Sequence, residues 1–147
     1  MRLALSGSPV IKINTDMERI ADRAQNIGER AAFLARQSSF RIPAKLDRMA
    51  DLATQMVRDA LAAFVNLDAA SARRVGAQYD EVDQCYREII AELYRLMRKD
   101  QELVEPGMHC FSAVRHVERI ADHATNIAED VIYLIEAEIV RHKHNNA

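Results

Sequence analysis

A chain of 147 residues with a formal net charge of −2 is long enough for one domain with a real core. It carries no overall field that would favour nucleic acid or an anionic membrane. Its two cysteines, Cys85 and Cys110, lack CxxC spacing and read as reduced cytosolic thiols rather than a disulfide framework. No apolar run approaches the roughly eighteen residues that a membrane span needs, and the N-terminal stretch Met1–Ser8 is too short in its apolar part for a signal peptide.

Residues 1–8 show no period and are expected to be irregular. Ser8-Pro9 reads as an N-cap followed by proline at the first helical position, opening a helix over 9–37. Its apolar positions Val10, Ile13, Met17, Ile20, Ala24, Ile27, Ala31 and Leu34 recur by threes and fours. Pro43 opens a second helix over 43–67, with Leu46, Met49, Ala53, Met56, Ala60 and Phe64 as its inner stripe. Asp68 is the expected N-cap of a third helix over 69–102, whose seam is Val75, Tyr79, Val82, Tyr86, Ile89, Leu93 and Leu96. Pro106-Gly107 is read as the break before a fourth helix over 107–142, lined by Val114, Val117, Ala121, Ala124, Ala128, Val131 and Ile135. The tail 145–147 is expected to fray. No stretch alternates with period two. The fold class is therefore all-α, an antiparallel bundle of four long helices, the last three forming a unit.

One stretch occurs twice. Glu118-Arg119-Ile120-Ala121-Asp122-His123-Ala124-Thr125-Asn126-Ile127-Ala128-Glu129 repeats Glu18-Arg19-Ile20-Ala21-Asp22-Arg23-Ala24-Gln25-Asn26-Ile27-Gly28-Glu29 at an offset of 100 residues, with seven of the first nine positions identical. That register points to an internal duplication. Positions i and i+4 of a helix lie about 40° apart, so Glu118, Asp122 and Asn126 form a column of oxygen-bearing side chains, to which Glu129 returns. Glu18, Asp22, Asn26 and Glu29 repeat it. Like charges at this spacing weaken a helix by a few tenths of a kcal/mol, so a doubled column suggests a cation between the carboxylates.

Carboxylate oxygens select hard or borderline ions such as magnesium, manganese, iron or calcium. The alternative is a solvated face paired with Arg19, Arg23, Arg115 and Arg119. Asp80 and Asp83, three apart on the third helix, are the expected donors from a partner helix, or else a surface cluster paired with Arg87. Asp47 and Asp51 are expected to be solvated. His109, His116 and His123 recur every seven residues, but point about 100° away from the Glu118–Asp122 column, and are read as outer-face or interface residues. Glu-x-x-His pairs, Gly-rich phosphate loops, GxSxG and HExxH do not occur.

The stretches Lys12–Asp22 and Arg115–Glu129, with Asp80-Glu81-Val82-Asp83 upstream of the second, resemble the paired signature of the PhoU family, the phosphate-uptake regulators. The resemblance covers about residues 10–142 and corresponds to the last four of that family's six helices. It implies one PhoU-like helical domain over 1–147 and metal ions on the acidic columns. The residues it marks are Glu118, Asp122, Asp80, Asp83, Glu18 and Asp22, with Asn26, Asn126 and Glu129 as further donors. The ion is expected to be divalent or trivalent: iron, manganese, magnesium or zinc. The resemblance further implies a cytoplasmic negative regulator of phosphate uptake and of the phosphate-starvation response. Its implied partners are the phosphate ABC transporter and a sensor histidine kinase. The first column, Glu18 and Asp22, lacks its in-chain partner helix.

The expected function is that of a metal-binding regulator and not an enzyme; the alternative is a carboxylate-bridged metalloenzyme, a hydrolase or oxidase. Nothing in the sequence supplies an obvious nucleophile or phosphate cradle for the latter. The first helix's long apolar stripe, beside a finished three-helix unit, predicts a homodimer that covers it; a closed four-helix monomer is the other arrangement.

Overall fold

The computed structural model describes residues 8–145. Among these are four α-helices: α1 (Pro9–Leu34), α2 (Lys45–Asn66), α3 (Ala69–Lys99) and α4 (Val104–Asn145), the last preceded by a 3-10 turn at Gln101–Leu103. No described residue lies in a strand. The stretch expected to be irregular and the expected frayed tail fall, apart from Ser8 and Asn145, outside the described residues.

Local chemistry sets each boundary. Ser8 holds the N-cap position with extended backbone and Pro9 follows it, although the serine side chain makes no capping bond. α1 stops at Leu34, short of the expected residue 37, because the chain tightens into turns from Arg36 N–H to the Phe33 carbonyl and from Gln37 N–H to that of Leu34. Buried Phe40 and Pro43 then draw the connection onto the core. α2 ends at Asn66 because Leu67 turns left-handed, with φ 49° and ψ 47°, and the Asp68 N–H closes on the Ala63 carbonyl at 2.9 Å. A leucine in that conformation costs roughly 1–2 kcal/mol. Asp68 caps α3 as expected, its carboxylate accepting from the Ser71 N–H at 3.0 Å.

The junction before α4 departs from expectation. α3 ends at Lys99, and the Asp100 carboxylate accepts from the Glu102 N–H at 2.9 Å to start the 3-10 turn. Pro106-Gly107 does not separate the segments. Both residues lie in the first turn of α4, where a missing proline N–H leaves no helical bond unmade. Gly107 is buried against Met97, so close that a Cβ there would stand 2.6 Å from the Met97 Cγ.

α2, α3 and α4 pack on one another, whereas α1 packs on α4 alone. The three-helix unit buries Met49 and Met56 of α2, Val75, Val82, Ile89 and Leu93 of α3, and Cys110, Val114, Ile127 and Val131 of α4. Ala121, Ala124 and Ala128 are buried as well, so α4 offers small residues where its neighbours approach. The expected stripe of α1 is only half inside. Ile13 and Leu34 are buried and Met17, Ile20 and Ile27 pack against the core, but Val10, Ala24 and Ala31 are exposed. The reason is geometric: a helix with a single neighbour buries one narrow face. No described helix is long and apolar enough to cross a membrane.

Candidate functional site

The contact between α1 and α4 is built on the three histidines. Arg30 Nη1 donates to His109 Nδ1 at 3.1 Å, Arg23 Nη1 donates to His116 Nδ1 at 3.3 Å, and His123 Nδ1 meets Asp16 Oδ1 at 2.8 Å. Each step of seven forward on α4 is matched by seven back on α1, which fixes an antiparallel register. Arginine has no acceptor atom, so Nδ1 of His109 and His116 carries the lone pair, while Nδ1 of His123 carries the proton that Asp16 accepts. Burial, with Arg23, Arg30 and Arg115 around it, holds the His116 imidazole below its ordinary value. Phe33 stacks on His109 with ring centroids 3.6 Å apart. The histidine stripe is thus an interface. Its partners Asp16, Arg23 and Arg30 were legible only as a matching heptad on the first helix.

The same register sets the two copies of the repeated motif against each other, antiparallel about a local two-fold axis near Ile20 and Ile120. Under that axis Arg23 corresponds to His123 and Asp16 to His116, so the Arg23–His116 and His123–Asp16 pairs are equivalent in position and opposite in chemistry.

The acidic columns are not equivalent in their surroundings. Glu118 is tucked under α3, its side chain 19% exposed, and accepts from the Tyr79 hydroxyl at 2.9 Å. Asp122 lies within reach of the same hydroxyl. Burial first, then these two carboxylates, pushes the Tyr79 phenol well above its ordinary value. Arg119 lies 3.4 Å from Asp122 and 4.0 Å from Glu118. Tyr79 reads from the sequence as one more apolar seam position; the signal that it is more is that a buried phenol needs a polar partner.

The other candidate residues do not join this pair. Asp80 is exposed, and Asp83 is held by Arg87 at 3.2 Å. Glu18 and Asp22 are exposed on α1, with the Asn14 amide 3.5 Å from Glu18, and Asn26 donates to the Asp22 backbone carbonyl at 3.0 Å. Asn126 and Glu129 are exposed on α4. Among the described residues no three His, Cys, Asp or Glu side chains converge as a metal-ligand group. Glu118 and Asp122 supply two convergent carboxylates, a set that fits a hard ion keeping part of its water shell, as magnesium usually does.

The geometry defines an all-helical bundle protein in which a duplicated acidic helix motif is packed against its own copy. The model of the PhoU domain matches residues 46–131, more than half of the chain, and the chain belongs to the PhoU family. It is 38% identical over 135 residues to the phosphate-specific transport system accessory protein PhoU homolog of Aquifex aeolicus, covering 92% of this chain and 61% of that one. It is 40% identical over 144 residues to the homolog of Pseudomonas putida, covering 97% and 55% respectively. The crystal structure of PhoU from Pseudomonas aeruginosa superposes with a TM-score of 0.83 at 35% identity, over 88% of this chain and 62% of that chain. The chain thus spans about three fifths of the length of these relatives.

Proposed function

We propose that this chain is a cytoplasmic regulator of phosphate uptake that acts by protein contact and not by catalysis. One observation carries the reading: over almost its whole length the chain is similar, at 38–40% identity, to accessory proteins of phosphate-specific transport. The partners this suggests are a phosphate ABC transporter and its sensor histidine kinase. The test is phosphate uptake in a bacterial host lacking its own PhoU. Expression of the chain, at its natural full length, should restore repression of uptake and co-purify the transporter. Unchanged uptake with no transporter recovered would sink the reading.

A metal belongs to the same proposal. Glu118 and Asp122 would hold it, with Asp80 or Asp83 drawn in from α3, and it would supply a fixed positive charge at the α3–α4 contact. The Glu118 carboxylate, half-buried under α3 against the Tyr79 hydroxyl, with Asp122 one helical turn on and bridged to it by Arg119, supports this. Glu118→Ala with Asp122→Ala should abolish binding, measured as metal per chain after dialysis; unchanged stoichiometry would leave the column a solvated face.

Self-association completes the proposal. The N-terminal end of α1 leaves Val10 at 49% and Ile11 at 42% exposure. A second copy covering this end would make a two-fold homodimer. Light scattering at micromolar concentration checks it, and a persistent monomer would remove it.

A further inference from the structure

Beside the Tyr79–Glu118 contact, between α1, α3 and α4, lies an open cleft of about 530 Å³. Its walls carry three guanidiniums, Arg19 and Arg23 from α1 and Arg119 from α4, against a single carboxylate, Asp122. We infer that this cleft binds a small phosphate-class oxyanion, inorganic phosphate or a phosphate monoester. The inference goes beyond the regulatory reading above and stands without it.

The charges do not cancel. Asp122 is already engaged by Arg119 at 3.4 Å, and Glu118, 4.0 Å from the same guanidinium, is the one other carboxylate against it, so three cations still outnumber two anions. Among the described residues neither Arg19 nor Arg23 forms a salt bridge; Arg23 donates to the neutral ring of His116 and Arg19 makes no side-chain hydrogen bond. A chain whose net charge is −2 therefore concentrates an excess of fixed positive charge in one concavity. Guanidinium groups suit this ligand because their planar N–H fork matches two oxygens of a phosphate.

The remaining lining decides what kind of ligand fits. His123 is committed to Asp16, and the Thr125 hydroxyl donates to the Ala121 carbonyl at 3.2 Å. The Asn126 amide, at the rim, is left as a neutral donor. The free donors are thus the Arg19 fork, the N–H groups that Arg23 and Arg119 keep beyond their contacts with His116 and Asp122, and one amide. The volume lies within the range of small-ligand sites, so a phosphate carrying a short polar group is accommodated as well as the bare anion.

The two-fold relation explains how the cleft arose. Arg19 and Arg119 occupy the same position in the two copies of the motif, and the antiparallel register of α1 on α4 brings both to the same face of the helix pair, flanking the local axis. Duplication thus doubles the cation, whereas Arg23 in one copy and His123 in the other make the two halves unequal.

Calorimetric titration of the purified chain tests the inference, with inorganic phosphate and glycerol 3-phosphate titrated separately. One equivalent of at least one of them should bind saturably, and more weakly as salt is raised. The probe that binds tells free phosphate from an ester. Arg19→Gln combined with Arg119→Gln should weaken binding at least tenfold with helicity unchanged by circular dichroism. Arg95→Gln, an exposed charge on α3 outside the cleft, should leave it unaltered. If neither probe binds saturably, or if Arg95→Gln weakens binding as much as the double variant does, the inference is overturned.

Discussion

His123 donates its Nδ1 proton to Asp16 across 2.8 Å, and both side chains are only 13% exposed. This pair carries much of the specificity with which α1 chooses its place on α4, because α1 buries few large apolar side chains of its own. Asp16→Ala should leave the His123 N–H without a partner and cost about 1–3 kcal/mol, as buried unsatisfied donors do. Asp16→Asn, which keeps an acceptor oxygen, should cost less. Urea denaturation measures both; an Asp16→Ala variant as stable as the parent would show that the seam is held by packing alone.

Gly107 and Met97 form a second testable contact. A Cβ at residue 107 would lie 2.6 Å from Met97 Cγ and 2.9 Å from its sulfur. Gly107→Ala gains about 1 kcal/mol of helix propensity but faces an overpacking cost of roughly 1–3 kcal/mol. The expected net effect is neutral to destabilising. In a Met97→Ala background the overlap disappears, and Gly107→Ala should then stabilise by about 1 kcal/mol. A double-mutant cycle with no coupling between the two positions would contradict this.

Cys110 should behave as a packed thiol rather than a reactive one. Burial, with a smaller contribution from Glu92, pushes it up to about 11. Between the ordinary thiol range and that value the unfolded chain has released its proton and the folded chain has not. The folded state binds more protons there, so stability falls as pH rises through this window. Alkylation of native protein at pH near 8 should therefore label Cys110 far more slowly than in denaturant. Rapid labelling of Cys110 in the native state would indicate that α4 opens locally.

Tyr79 gives a further pH-dependent signature. Its phenol is raised by burial and by the two carboxylates, so it stays protonated through the ordinary phenol range. Ultraviolet titration of native protein should show a shortfall of one tyrosine, recovered on unfolding. As pH climbs above the ordinary phenol range, stability should decline for the same reason as at Cys110. Tyr79→Phe should remove both the shortfall and about 1 kcal/mol of stability through loss of the bond to Glu118. A full four-tyrosine titration of the native parent would rule this out.

The sequence by itself determined the helices and the unit formed by α2, α3 and α4. Apolar residues recurring by threes and fours can bury only one face, and Met49, Met56, Val75, Val82, Ile89, Leu93, Val114 and Val131 are all inside as their spacing requires. Asp68 as a cap was legible for a similar reason, since a side-chain oxygen at a helix start has one local use. The doubled Glu-Arg-Ile-Ala-Asp motif and the membership it marks were also written in one dimension. Helix ends were less so: the start of α4 ahead of Pro106-Gly107 depends on Met97, a residue of the preceding helix, finding space over a glycine.

Only the tertiary structure decided what the repeated motif faces. Spacing along one helix fixes the angle between the histidine stripe and the acidic column, but not which neighbour lies at that angle. That α1 lies antiparallel on α4 alone is settled by pairing across the chain, from Arg30–His109 through Arg23–His116 to Asp16–His123. The same packing leaves Val10, Ala24 and Ala31 exposed, because burial is a property of neighbours and not of period. It also seats Glu118 under Tyr79 and gathers Arg19, Arg23 and Arg119 around one cleft, contacts between residues up to 100 positions apart that no local pattern can specify.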